Sequence, residues 1–349
     1  MNVNRKDLLE ALKKCLSGIE TGATILEGAD TFVFSEGRIL SYNDNISVSV
    51  PFEIEGGEII GAIKALEFFT LINRFSEETI KITEKEGKWI IRSGEAKAEF
   101  VLLDSSILER VNKIFPPDNE WKSLPDNFFR GIKICKIPSN KSSLSGYFVN
   151  GNRLVSTDTV RINFYNLDRE MEKFWVSDTS INELEKLSKI SFYALTSSWV
   201  HFKTEDGVIF SCKRLNDESY PEDKILNVKE KNRKEGEVSF TFPKRLLDAI
   251  YRASVLSTSV ENFETIDISF SSENIIIQSE RSSGKYFERV SWDNSVSIDK
   301  EIEIRIDFAM MELAMKQAKS FYIKEESEDN KRIVFEYEEG LQILGIIRK

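Results

Sequence analysis

Asp7-Leu-Leu-Glu-Ala-Leu-Lys-Lys-Cys-Leu16, Phe128-Phe-Arg-Gly-Ile-Lys-Ile134 and Leu246-Leu-Asp-Ala-Ile-Tyr-Arg-Ala-Ser-Val-Leu256 read as three versions of one helical opening. With Leu8, Phe128 and Leu246 as equivalent starts, the steps are 120 and 118 residues. A β-rich stretch follows each opening, then a second apolar helix near Ile63, Ile181 and Met310. Hairpins beginning Trp89-Ile-Ile, Trp199-Val-His and Ile333-Val-Phe close the units. A period near 120 is too long for a solenoid repeat and suits a whole domain. The reading is α+β, with three tandem copies of one domain over 1–118, 119–233 and 234–349. Such a chain suggests curved or ring-like assembly more than a single catalytic cleft.

The boundaries have local signals. Between Phe115 and Pro125 stand three of the chain's seven prolines, which marks a turn-rich break. The run from Asn227 to Gly236 is charged and without periodicity, as expected of an exposed linker. The last strand is expected to run from Leu341 to Lys349. Within the first unit, Leu8, Leu9, Leu12, Cys15, Leu16 and Ile19 form a stripe at helical spacing, and Ile46 to Phe52 alternates like a half-buried strand.

Composition narrows the function classes. A 41% hydrophobic and 30% charged chain is ordinary for a folded domain. No apolar run approaches the ~20 residues of a membrane span, and no signal-peptide pattern opens the chain, so a cytoplasmic protein is expected. Cys15, Cys135 and Cys212 fit no metal spacing and read as reduced core residues. The one histidine, His201, lies in a strand pattern with no nucleophile or metal partner nearby, and partial cover is expected there. P-loop, Gly-x-Gly-x-x-Gly, HExxH and EF-hand patterns are missing. The expectation is no enzyme, no cofactor and no metal.

Net charge is −10, which alone would discourage a nucleic-acid partner. Its distribution reverses that expectation. Helices expected at 5–19, 63–75, 124–137, 178–190, 243–256 and 307–320 hold 16 Lys/Arg against 10 Asp/Glu. Strands and loops hold the acidic excess. If the helices share one side of an assembly, that side can hold a polyanion.

Three strings stand in order along the chain: Ile90-Ile-Arg-Ser-Gly-Glu-Ala, Thr157-Asp158-x-x-Arg161-Ile162 and Lys213-Arg-Leu-Asn-Asp-Glu-Ser-Tyr-Pro221. Together they resemble the bacterial DNA polymerase III β subunit, the DNA sliding clamp. The resemblance spans essentially the whole chain. It implies two copies closed head to tail into a ring around duplex DNA, with helices lining the hole, sheets outside and no dependence on base sequence. Candidate DNA contacts are Lys6, Lys13, Lys14, Arg130, Lys133, Lys136, Lys141, Arg245 and Arg252. Where the family has paired tyrosines, this chain has Ser142 and Ser143, with Lys141 beside them.

The resemblance also implies a cleft that takes short hydrophobic peptides of a polymerase and a clamp loader. Its matching positions are Leu144, Thr157, Asp158, Thr159, Val160, Arg161 and Ile162, then Tyr220 and Pro221, then Ile343, Gly345, Ile346, Ile347 and Arg348. Thr159-Val160 replaces Gly-His, and Gly345-Ile-Ile347 replaces Met-Pro-Met. Stiff residues in place of methionines imply a changed peptide preference, as would suit a phage or mobile-element clamp. Ala98, Phe100 and Leu102 on one side, with Val255 and Leu256 on the other, are the implied dimer contacts. Two other classes remain: a three-domain scaffold that never encircles DNA, and a hydrolase or nuclease built on clustered carboxylates.

Overall fold

A computed structural model describes the chain except residues 23–25, 55–56, 104–113, 115–119, 138–143, 159, 261–262, 328–329 and 348–349. The first repeat runs β1 (Asn2–Asn4), α1 (Arg5–Cys15), β2 (Thr31–Ser35), β3 (Arg38–Tyr42), β4 (Ile46–Pro51), β5 (Gly61–Lys64), α2 (Ala65–Arg74), β6 (Thr79–Lys85), β7 (Lys88–Ser93) and β8 (Ala96–Val101). The second contains β9 (Lys122–Ser123), α3 (Phe128–Ile134), β10 (Tyr147–Thr157), β11 (Arg161–Val176), α4 (Asp178–Leu184), β12 (Ile190–Leu195), β13 (Trp199–Thr204) and β14 (Ile209–Lys213). After α5 (Glu222–Lys231), the third contains α6 (Leu246–Ser254), β15 (Thr258–Val260), β16 (Phe263–Phe270), β17 (Asn274–Arg281), β18 (Gly284–Ser291), β19 (Ile302–Asp307), α7 (Phe308–Met315), β20 (Ser320–Ser327), β21 (Asn330–Glu336) and β22 (Gly340–Gly345).

Helix α1 shows why these segments fold as they do. Asn4 Oδ1 accepts the Lys6 and Asp7 N–H groups at 2.9 and 3.3 Å, while Asp7 opens the helix and Lys13 and Lys14 close it. Both features favour a helix beginning and ending there. Its inner face buries Leu8, Leu12 and Cys15 completely, and each large apolar side chain so buried contributes roughly 1.5–3 kcal/mol.

One buried hydrogen bond recurs in all three repeats. Ser41 Oγ donates to the Cys15 carbonyl at 2.6 Å, Ser156 Oγ to that of Cys135 at 2.5 Å, and Ser279 Oγ to that of Ala253 at 2.7 Å. Each bond ties the end of the first helix to a strand of its own repeat, β3, β10 or β17. The carbonyls at a helix end lack partners within the helix, and the serine supplies one. Placing Cys15, Cys135 and Ala253 at one position makes Leu8, Phe128 and Leu246 equivalent too, and all three are buried.

The described chain forms two compact units, Met1–Asp126 with Phe174–Asp217 and Asn127–Lys173 with Glu218–Lys349. In the first, an eight-stranded sheet runs β5-β2-β3-β4-β14-β13-β12-β9, and a four-stranded sheet runs β1-β6-β7-β8. In the second, one sheet runs β10-β11-β22-β21-β20, and the other runs β15-β16-β17-β18 with β19 on β16. Sheets therefore continue across the repeats, through β4–β14 and through β11–β22.

Three sequence expectations need correction. The charged run after Asn227 is not simply an exposed linker, because its first residues end helix α5. That helix has Glu222 and Asp223 in its first turn, Lys229 and Lys231 in its last, and Ile225 buried. Asn232 closes it, buried, with Nδ2 donating to the Val228 carbonyl at 2.8 Å and its own carbonyl accepting the Tyr322 hydroxyl at 2.7 Å. The final strand ends at Gly345, although the Ile347 N–H still reaches the Arg305 carbonyl at 2.8 Å. His201 is fully buried rather than partly covered, with Nδ1 2.8 Å from Ser211 Oγ, and burial lowers its pKa to about 4. The three cysteines are free and buried.

Candidate nucleic-acid and peptide interfaces

The helix cations differ in their surroundings. Lys6, Lys13, Lys133, Lys136 and Arg245 are exposed. Lys13 and Lys133 occupy the same position, two residues before the carbonyl that takes the serine bond. Lys14, Arg130 and Arg252 carry ion pairs. Lys14 meets Asp206 at 3.2 Å. Arg130 spreads over Glu339 at 2.9 Å and Glu338 at 3.0 Å. Arg252 grips Glu288 at 2.7 and 3.0 Å, with the Tyr286 hydroxyl 3.1 Å from Nε. The Arg252 hydrogen bond holds the Glu288 carboxyl below the usual range. A cation already facing one or two carboxylates has less to offer a phosphate. Lys141 lies outside the described residues.

Of the expected cleft positions, Arg161, Ile162 and Ile343 come together where β11 pairs antiparallel with β22, Arg161 opposite Leu344 and Ile162 opposite Ile343. The turn between β10 and β11 is built by its own side chains. Asp158 Oδ1 accepts the Val160 and Arg161 N–H groups at 3.1 and 2.8 Å, and Thr157 Oγ1 donates to the Arg161 carbonyl at 2.8 Å. Asp158 Oδ2 meets Arg161 Nε at 2.9 Å, with both side chains fully buried. Desolvation lowers the Arg161 pKa, and Asp158 opposes the shift. The first repeat uses the same device, Asn43 Oδ1 accepting the Asn45 and Ile46 N–H groups at 2.9 and 2.8 Å. Thr157, Asp158 and Arg161 are thus builders of the turn rather than surface.

Tyr220 and Ile343 are likewise buried. Tyr220 stacks on Phe148, ring centres 4.1 Å apart and 7° from parallel. The Gly345 N–H meets the Val160 carbonyl at 2.9 Å, and a Cβ there would stand only 3.2 Å from that oxygen. Close backbone approach explains a glycine where the resembled family has methionine. What solvent can reach is half-buried and mostly apolar: Leu144, Val160, Ile162, Pro221, Ile346 and Ile347. Thr159 and Arg348 lie outside the described residues. Sequence reading missed Phe148 beneath Tyr220, and it missed the bidentate Arg305–Asp267 pair at 2.8 Å that steadies the strand receiving Ile347.

Each unit also has a sheet edge that no further strand covers among the described residues. β8 ends the first unit's four-stranded sheet, and β18 ends a sheet of the second. Along them and nearby stand exposed apolar side chains: Val101 at 64%, Phe287 at 56% and Val255 at 71%. Ala98, Phe100, Leu102 and Leu256 are half-buried. Beside β8, Leu66, Leu71, Arg74 and Phe100 line an open hollow of about 600 Å³. A monomer rarely leaves paired edges and apolar patches uncovered without a partner for them.

No protein-family model and no curated protein matches this sequence. Solved structures match throughout. The DNA polymerase III β chain of Streptococcus pneumoniae superposes with a TM-score of 0.82 at 17% identity, covering 100% of this chain and 99% of that one. The Helicobacter pylori β clamp bound to a DNA ligase peptide gives 0.80 at 16%, covering 100% of each chain. The Bacillus subtilis DNA polymerase sliding clamp gives 0.79 at 20%, covering 100% of this chain and 98% of that one. The described chain has the β-clamp fold from end to end. Among the described residues, no helix is long and apolar enough to cross a membrane.

Proposed function

We propose that this chain, which has the β-clamp fold, is a DNA sliding clamp: two copies close head to tail around duplex DNA and tether a polymerase. The observation that carries the reading is the pair of open edges. Among the described residues, β8 and β18 each lack a further strand on one side and are flanked by exposed apolar residues, so one edge can serve as the other's partner in a second copy. Heterologous contacts of this kind generate a ring when the rotation closes. Ala98, Phe100 and Leu102 would meet Val255 and Leu256 of a second copy. The domain limits 1–118, 119–233 and 234–349 belong to this proposal.

In such a ring, retention is topological, so the hold on any one phosphate can be weak, screened and exchangeable. The exposed cations Lys6, Lys13, Lys133 and Arg245 suit that task better than Lys14, Arg130 and Arg252, which already hold carboxylates. Partners would dock short hydrophobic peptides on Val160, Ile162, Pro221, Ile346 and Ile347; the Helicobacter pylori clamp of like fold is itself bound to a DNA ligase peptide. Polymerase and clamp loader are the expected owners of those peptides.

Reversing Lys13, Lys133 and Arg245 together to Glu tests the hole-facing assignment. The variant should stay folded and dimeric. Its DNA association should fall at least several-fold, and its log–log salt dependence should flatten by about 0.9 for each phosphate no longer neutralised. Unchanged association and slope would contradict the assignment.

A further inference from the structure

The two junctions inside the chain follow one rule, and a third junction is missing its other half. In the first, β4 pairs with the closing strand β14, Ile46 opposite Cys212 and Ser47 opposite Ser211. In the second, β11 pairs with the closing strand β22, Arg161 opposite Leu344 and Ile162 opposite Ile343. Ile46 and Arg161 each stand five residues beyond the serine that binds the helix-end carbonyl, Ser41 or Ser156. One more backbone bond is shared, Lys213 N–H to the Asn45 carbonyl and Gly345 N–H to that of Val160, both 2.9 Å. The third serine, Ser279, places Gly284 of β18 at the equivalent position. The strand equivalent to β14 and β22 is β8: Ser93, Thr204 and Tyr337 close the turns of the three hairpins, and four residues before them Trp89, Val200 and Ile333 lie opposite Phe100, Cys212 and Leu344. By the rule, Gly284 should face Phe100 of a second copy, and Lys285 should face its Glu99.

A second regularity fixes the helix. Two residues beyond Thr204 and Tyr337, equivalent positions in the closing hairpins, stand Asp206 and Glu339. Each is held by a cation of the preceding repeat's first helix, Lys14 at 3.2 Å and Arg130 at 2.9 Å. The equivalent carboxylate of the first repeat, two beyond Ser93, is Glu95, which is exposed. The equivalent of Lys14 in the third repeat, one residue before the serine-bound carbonyl of Ala253, is Arg252.

Resting on the ring reading, we infer that Arg252 is a seam latch rather than a DNA contact: on closure it exchanges its own Glu288 for Glu95 of the second copy, beside a Lys285–Glu99 pair. The occupant of the β18 edge is therefore a second copy of this chain. One facing pair at each observed junction is alike, Ser47 with Ser211 and Ile162 with Ile343, and the same position at the third sets Lys285 against Glu99 of the second copy. Opposite charges directly across strands are favourable and like charges are not. In the single chain these groups hold local substitutes, Lys285 with Glu280 at 2.8 Å, Lys97 with Glu99 at 2.6 Å and Arg252 with Glu288. Closure exchanges three local pairs for two across the seam, and Lys97, Glu280 and Glu288, all of which solvent reaches, are released from theirs.

Sedimentation equilibrium on the full chain tests this through charge exchange. Arg252→Glu and Glu95→Arg should each weaken the dimer at least tenfold, and the double variant should recover most of that loss. Lys285→Glu with Glu99→Lys should behave alike. Glu288→Gln, which frees Arg252 from its resting partner, should tighten the dimer several-fold. A wild-type chain that stays monomeric at tens of micromolar would overturn both the ring and the latch. A stable dimer whose single variants bind normally, or whose double variants show no recovery, would overturn the latch and leave the ring standing.

Discussion

Glu99→Pro is expected to leave the protomer folded and the ring open, raising the dimer dissociation constant a hundredfold or more. The effect is directional. The Leu102 N–H bonds inward to the Gly87 carbonyl at 2.9 Å, and β8 lies against β7 with Phe100 opposite Trp89. Backbone groups alternate along an antiparallel strand, so the N–H groups of Lys97, Glu99 and Val101 point away from β7. Proline at Glu99 removes one outward donor and fills its place with ring atoms, while the inner ladder stays intact. Edge strands tolerate proline with the N–H side open. Glu99→Ala is the control, since it removes the ion pair and keeps the donor; it should cost the dimer no more than about tenfold, within the range of a single charge pair. Sedimentation would read both. A dimer equally stable in both variants and the wild type would remove β8 from the interface.

The second large effect concerns the turn between β10 and β11, which shapes the proposed peptide cleft. Asp158→Ala should lower the stability of the second unit by about 3–5 kcal/mol, because it leaves Arg161 buried without its carboxylate. It also deprives the Val160 and Arg161 N–H groups of the acceptor they share. Asp158→Asn should cost less. Asparagine accepts the same two bonds, as Asn43 does in the first repeat, and loses the charge and the bond from Arg161 Nε. Urea midpoints of the two variants should therefore separate clearly, and a hydrophobic peptide should bind the Ala variant more weakly through displacement of Val160. Unfolding of both variants within ~1 kcal/mol of wild type would mean that Asp158 is not what holds Arg161.

Those two residues also mark where sequence reading reached its limit. The repeat was legible because it rests on local patterns: helical stripes, alternating strands and hairpin turns at nearly constant spacing. The positions of β7, β8 and the closing hairpins followed directly. The Thr157–Ile162 string was legible as a motif, but whether its charged members face a partner or the interior depends on packing from β22, far along the chain. The same limit applies to the cations. Lys14 and Asp206 are 192 residues apart, Arg130 and Glu339 are 209 apart, and no local pattern distinguishes a paired lysine from a free one. Helix α5 was missed for a different reason. Its stability comes from charges arranged along the helix dipole and from one buried isoleucine, so its hydrophobic periodicity is faint.

Above all, a sliding clamp must hold DNA by enclosure. The most direct test is the lifetime of the wild-type protein on a nicked circular plasmid, measured before and after a restriction enzyme linearises that plasmid. Enclosure requires a lifetime of many minutes on the circle and escape from the ends within seconds of cutting, with no dependence on base sequence. Equal lifetimes on circle and line would contradict it, and would mean that this chain grips DNA by contact or not at all.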